Sequence, residues 1–217
     1  MFLGHLGVGL AAKKYAPKTS LGTLLLSATL LDILWPVFLL LGLEQVRIEP
    51  GNTAITPLNF TSYPYSHSLL ATAIWSTAFA LAYWRLSGYR NGAWAVFLAV
   101  ASHWALDFIS HGPDMPVFPW GELKVGLGLW NSVPATLLAE GAIFGLGIFI
   151  YLQTTQPKSG KAQFALWSFW AVSVLAYFGS VFGPPPPGEK ELAVFALFGS
   201  WLSPAWGVWV EKTREVR

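Results

Sequence analysis

Four histidines and three carboxylates stand in stretches of this chain that are otherwise apolar. His5, His67, His103 and His111 are its only imidazoles, and each lies in or at the end of an apolar segment. Of the eleven acidic residues, eight (Glu44, Glu49, Asp114, Glu122, Glu189, Glu191, Glu211 and Glu215) fall in loops or tails, leaving Asp32, Asp107 and Glu140 inside apolar runs. A carboxylate inside a bilayer costs at least about 2.5 kcal/mol, and no Lys or Arg accompanies these three. Metal ions, protonation or a wet cavity must compensate. Imidazole and carboxylate together make a metal site, and mixed ligation of this kind suits zinc, with manganese or iron as alternatives.

The spacing sharpens that expectation. His103, Asp107 and His111 recur at i, i+4 and i+8, which on a helix stacks them within an arc of about 80°. Eight residues of rise separate the first and last by about 12 Å, so one ion cannot take both histidines unless the helix breaks at Gly112. Either Asp107 bridges two ions, or one histidine supports a ligand without touching metal. The candidate ligands are therefore His5, Asp32, His67, His103, Asp107, His111 and Glu140, holding one or two divalent ions, with Asp32, Asp107 and Glu140 as the candidate catalytic carboxylates.

The elements that must position these residues follow from composition. The 217 residues are 54% hydrophobic and 11% charged, with a mean hydropathy of +0.50. A soluble domain carries about a quarter charged residues, so the chain reads as an integral membrane protein. The absence of cysteine excludes a disulfide framework, and a net charge of +2 gives no footprint for nucleic acid. Runs of about 20 apolar residues suit membrane helices, and five are clear: about Ser20 to Leu43, His67 to Ser87, Asn91 to His111, Ser132 to Leu152, and Lys161 to Phe182. A sixth, about Leu192 to Val210, follows the tetraproline Pro184 to Pro187. Phe2 to Ala12 is about half a span, and Lys13 and Lys14 follow it, the wrong order for a signal peptide. It reads as a retained half-helix. The expected fold is all-α, a polytopic transmembrane helical bundle of about six spans plus that half-helix. Residues 1–217 then form a single integral membrane domain, its metal-site part about 1–152 and its scaffold helices about 161–210.

Alternating the loops puts ten of the thirteen basic residues on one side, with Arg47, Lys124 and Lys190 on the other, a positive-inside pattern that makes the C-terminus cytoplasmic in the inner cell membrane. The two longest loops, about Glu44 to Ser66 and Gly112 to Asn131, then face outward, and their Pro, Gly and aromatic content suits a structured cap. Helical rise places Asp32 and His103 about 18 Å from the cytoplasmic ends of their spans, Asp107 about 24 Å and His111 about 30 Å, with Glu140 about 12 Å below the outer face and His67 at it. His5, about 12 Å above Lys13, sits just below them. Five segments thus deliver ligand-type side chains to one layer in the outer half of the bilayer.

Several further features have ordinary structural explanations. Pro36 frees the carbonyl of Asp32 and is expected to kink its helix. Asp114, after Pro113, suits a turn. Gly141 and Gly145 are expected to allow close helix packing, and Trp84, Trp94, Trp130 and Trp209 an interfacial belt.

At these residues the chain resembles a bacterial family of membrane-bound, metal-dependent hydrolases. Its members carry an N-terminal His, a Pro-Asp-x-Asp-type motif in an early span, a Thr/Ser-His-Ser motif and a later His-x-x-x-Asp. The counterparts here are His5, Asp32, Ser66-His67-Ser68 and His103-Trp104-Ala105-Leu106-Asp107, within roughly the first 115 residues. The early motif departs from the pattern: it reads Leu31-Asp32-Ile33-Leu34, with no proline before the acid and no second acid. A ligand is then missing or supplied by Glu140. The family is distantly similar to zinc-dependent phospholipase C, which implies phosphoester hydrolysis at a multinuclear site.

Together these features lead to an expected membrane-embedded, metal-dependent hydrolase acting on a lipid-linked phosphoester or ester, with the outer loops as a lid. The alternatives are a metal-ion or proton transporter using the same cluster, and a scaffold held by a structural metal. Oligomeric state is open.

Overall fold

The computed structural model describes residues 1–158 and 160–217. The N-terminal half-helix is α1 (Leu3–Ala12), and the first span divides into α2 (Leu21–Ala28) and α3 (Leu30–Leu40). A ribbon of β1 (Gln45–Ile48) and β2 (Leu58–Ser62) leads to the single turn α4 (Pro64–His67), then to α5 (Leu69–Ser87) and α6 (Arg90–Ser110). β3 (Met115–Pro116) and β4 (Lys124–Val125) precede a short 3₁₀ turn and α7 (Val133–Thr154). β5 (Thr155–Pro157), α8 (Lys161–Phe182), α9 (Glu189–Gly199), α10 (Leu202–Thr213) and β6 (Arg214–Val216) complete the chain. The result is an all-α helical bundle. Five helices, counting Glu189–Thr213 as one, are long and apolar enough to cross a membrane, and six if α2 and α3 form one broken span.

The short strands pair into three antiparallel two-stranded ribbons, two of which lie in the two longest loops and give them their structure. Lys124 Nζ donates to the Thr61 carbonyl at 3.1 Å and ties those two loops together. The opposite end is closed by Lys13, whose buried Nζ donates to the Thr19 carbonyl at 2.8 Å and to Glu211 Oε1 at 2.6 Å. Glu211 Oε2 also accepts the Leu21 N–H, at 3.2 Å, at the start of α2. Loops assigned to one side by alternation thus lie at one end of the bundle.

α1 is central, although it is only ten residues long. Leu3, Leu6 and Leu10 are buried in one cluster with Leu21 and Leu25 of α2, Phe144 and Ile148 of α7, and Leu166 and Phe169 of α8. Its crossing with α7 is so close that a Cβ on Gly7 would stand 2.6 Å from the Ile143 carbonyl oxygen. Gly147 sits directly against Gly7, whereas Gly141 and Gly145 have open space beside them. The packing glycines are therefore Gly7 and Gly147, correcting the expectation for Gly141 and Gly145. α6 is the most buried of the candidate spans, at 39% of its apolar window against 17% for α5.

The bend in the first span also differs from the expectation. α2 and α3 diverge by 56° at Thr29, while Pro36 lies inside α3. Ser27 Oγ donates to the Thr23 carbonyl at 2.7 Å and Thr29 Oγ1 to the Leu25 carbonyl at 2.9 Å. Such back-bonding hydroxyls compete with the helical ladder and bend it.

Candidate metal centre

His103 and Asp107 project from one face of α6, one turn apart, and are buried because that face packs on α1 and α2. α3 brings Asp32 to them, α4 brings His67, and α1 brings His5. Asp32 Oδ1 lies 3.7 Å from His67 Nε2 and 3.6 Å from His103 Nε2. Asp107 Oδ2 lies 3.8 Å from His67 Nε2 and 3.2 Å from His103 Nε2. These contacts make a closed four-sided ring in which histidine and carboxylate alternate. Donors held about 2.0–2.1 Å from a tetrahedral ion stand about 3.3 Å apart, and Asp32, His67 and His103 form one group whose ligand atoms all lie within 4.8 Å of one another. A second group, His5, His103 and Asp107, shares the same α6 residues. In it His5 Nε2 lies 3.1 Å from Asp107 Oδ1, which also pairs with the Met1 ammonium.

Hydrogen bonds behind the ring fix the histidines. The bend at Thr29 leaves the Ala28 carbonyl outside the helical ladder, and His103 Nδ1–H donates to it at 2.8 Å. His67 Nδ1 lies 2.7 Å from Ser66 Oγ, and that hydroxyl donates to Glu44 Oε2 at 2.7 Å. Since the one serine proton goes to Glu44, the Nδ1–H of His67 donates to serine. Both Nε2 atoms are thereby left free to act as ligands. Glu44 Oε1 accepts the Tyr65 and Ser66 N–H groups, each at 2.8 Å. Burial raises the Glu44 pKa, and the bonds from Ser66 and Tyr65 oppose that rise by favouring its ionised form.

Two further observations fit a cation. His103 Nε2 is fully buried without a hydrogen-bond partner among the described residues, a cost that a coordinated ion removes. The His5 and His103 rings stack with centroids 3.7 Å apart and planes 4° from parallel, where two imidazolium charges would repel. At least one of the two imidazoles is therefore neutral, the form that binds metal. A buried His/Asp group that could hold a metal ion is thus present.

Two expected ligands lie outside both groups. Glu140 Oε2 accepts the N–H groups of Phe2 at 2.8 Å and Gly4 at 3.2 Å, capping the start of α1. His111 leaves the shared face because α6 ends at Ser110, and its own backbone is extended. Its Nδ1 lies 3.1 Å from Asp114 Oδ1, which also accepts from Tyr63 Oη at 2.8 Å. Burial and the Asp114 carboxylate push the Tyr63 pKa well above its ordinary value, so the phenol remains the donor. Asp114 thus ties the two longest loops together besides shaping a turn.

A cavity of about 410 Å³ opens from the cluster. Asp32, His67, Asp107, His111 and Glu140 line its polar end, and α8, α9 and α10, expected to be scaffold, line most of the rest. Trp130, expected in the interfacial belt, also lines it, with its ring centroid 4.2 Å from that of His111. Asp32 is the ring member with solvent access, its side chain 42% exposed. Sequence reasoning missed Glu44, Tyr63 and the Ala28 carbonyl; Ser66 beside His67 was the one local signal for the first. No protein family, curated protein or solved structure matches the chain, so the site's own geometry carries its interpretation.

Proposed function

We propose that the chain is a membrane-embedded, metal-dependent hydrolase of the inner cell membrane, acting on a lipid-linked phosphoester or ester. The observation that carries this reading is the alternating ring of Asp32, His67, Asp107 and His103 at the polar end of an apolar cavity. Asp32, His67 and His103 would hold one divalent ion, zinc by ligand type, and Asp107 with His5, which share His103 with that group, would support it or serve a second. Such an ion supplies Lewis acidity, lowering the pKa of the attacking water and polarising the scissile phosphoryl or carbonyl group.

The protein's own groups account for the remainder. Asp32 reaches both the ring and the cavity, which orients a reacting group entering there. Glu140 lines the same cavity without belonging to the ring, and it acts as the proton acceptor for the attacking water. Hydrolysis then adds the water oxygen to phosphorus or to the acyl carbon, breaks the bond to the leaving alkoxide or phosphate, and returns the proton to that leaving oxygen. Leu6, Leu10, Leu21 and Leu25 fill the bundle between the cluster and Lys13. That dry core supports hydrolysis over the transport of ions or protons, which would need polar groups along the path.

The test is turnover of lipid substrates by the zinc-loaded protein in detergent micelles, screened over phosphoesters and acyl esters. Release of a water-soluble head group or fatty acid, lost in Asp107→Asn and His103→Ala, is expected. Ion flux into liposomes without any turnover would overturn the reading in favour of transport.

A further inference from the structure

The cavity beside the metal cluster runs away from the polar residues, along α8, to the surface. α8 and α9 follow each other in the chain but do not pack together: α9 lies on α3, and α10 lies on α8 and α2. The tetraproline Pro184–Pro187 between them cannot be helical and holds the two helices apart. Phe195 both lines the cavity and is 78% exposed, so the cavity reaches the face that an apolar helix turns toward lipid.

The walls are more apolar than their composition suggests. Ser173 Oγ donates back to the Phe169 carbonyl at 2.8 Å and Ser180 Oγ to the Tyr177 carbonyl at 2.8 Å, which leaves hydrocarbon facing inward. Tyr177 is the exception. It lines the cavity and is 3% exposed, and its hydroxyl faces the Glu140 carboxylate without forming a hydrogen bond of ordinary geometry among the described residues. Its ring stacks on Phe2, centroids 6.0 Å apart, and the Phe2 N–H is held by Glu140, which places Tyr177 at the polar neck of the cavity. A buried hydroxyl held so loosely by its neighbour at such a neck is placed to turn to a polar group that enters the cavity.

We propose that this cavity is the binding site for one hydrocarbon chain of a membrane lipid, which enters sideways through the gap between α8 and α9, while Tyr177 donates a hydrogen bond to an oxygen next to its head group. The amphipathic match supports it: the polar end meets the head, and the apolar walls meet the tail. The proposal rests on the hydrolase reading for the head group's place but not for the tail's.

The probe is a phosphatidic acid carrying a diazirine at the end of one acyl chain, incorporated into nanodiscs of dioleoylphosphatidylcholine that hold the full-length protein. Photolabelled peptides are mapped by mass spectrometry. Labelling is expected within residues 169–180 and 195–206. Gly199 lines the cavity, and a Cβ there would meet only Phe195, at 3.9 Å, so a side chain can start there without a clash and Gly199→Leu is the space-filling variant, its folding checked by circular dichroism. It is expected to reduce that labelling about tenfold, the effect of excluding roughly two buried methylenes, without changing labelling near Leu138 of α7, which is 75% exposed. Tyr177→Phe is expected to reduce labelling by the phosphatidic acid about fivefold, as for one lost hydrogen bond, but not labelling by a headless diazirine hydrocarbon. Labelling spread over outward-facing positions and insensitive to Gly199→Leu would overturn the tail site, and equal labelling of Tyr177→Phe by both probes would overturn the role of Tyr177. Asp107→Asn separates the two readings: a chain site that persists there without metal or turnover leaves this proposal standing even if the hydrolase reading fails.

Discussion

Ser66→Ala removes the hydroxyl that joins Glu44 to His67 and leaves His67 in place. In the parent, the Nδ1–H of His67 donates to that hydroxyl across 2.7 Å, and the hydroxyl donates on to Glu44 across another 2.7 Å. His67 is 5% exposed, so water does not readily replace the lost partner. A buried donor left unpaired costs about 1–3 kcal/mol. Part of that cost is avoided if the ring flips, which puts Cε1 where Nε2 stood, or changes tautomer, which protonates Nε2; either change removes the lone pair held beside Asp32 and Asp107. Loss of such supporting bonds typically lowers metal affinity about 10–100-fold, or ~1.4–2.7 kcal/mol. The assay is competitive titration of zinc against a chelator in detergent, with secondary structure checked by circular dichroism. Ser68→Ala is the control two residues away. Ser68 Oγ caps α5 by accepting the Ala71 N–H at 3.1 Å and is not bonded to His67. Its loss is expected to lower stability by about 1 kcal/mol and to leave zinc affinity unchanged. Zinc binding by Ser66→Ala within about twofold of the parent, or an equal loss in Ser68→Ala, would refute the reasoning.

Three other outcomes are expected. Gly7→Ala forces a Cβ to 2.6 Å from the Ile143 carbonyl oxygen, and this overpacking should cost about 1–3 kcal/mol and displace His5, read as a lower thermal midpoint with weaker metal retention. His111→Ala should leave bound metal unchanged while loosening the two longest loops, seen as faster proteolysis there, because His111 is bonded to Asp114 and lies outside the ring. Lys13→Met should destabilise the bundle by about 1–3 kcal/mol without loss of metal, since it strips buried partners from Thr19 and Glu211 at the far end; a chemical denaturation curve in detergent measures it.

Much of this architecture was legible because the bilayer imposes it. Runs of apolar residues bounded by charge marked every long helix to within a few residues, and helical rise placed His5, Asp32, His67, His103 and Asp107 in one layer, where the structure brings them together. The i, i+4 spacing of His103 and Asp107 carried through because α6 is regular there. It failed at His111, where helical geometry was extended one residue past the end of the helix at Ser110. The bend at Thr29 was hidden for a different reason: Pro36 is the stronger sequence signal, whereas two back-bonding hydroxyls are weak signals that act only in concert. Glu44 looked like a loop acid because its partner Ser66 is 22 residues away, a contact that no local pattern encodes. Tyr177 and the walls of α8–α10 were read as scaffold because apolar helices with no acid or histidine give no sign of which face borders a cavity.

Elemental analysis of the detergent-purified protein beside His103→Ala and Asp107→Asn tests the central claim most directly, with folding verified by circular dichroism. The ring of two histidines and two carboxylates predicts near-stoichiometric metal in the parent and its loss from both folded variants. A parent that retains no metal after reconstitution with Zn²⁺, Mn²⁺ or Fe²⁺ would contradict it.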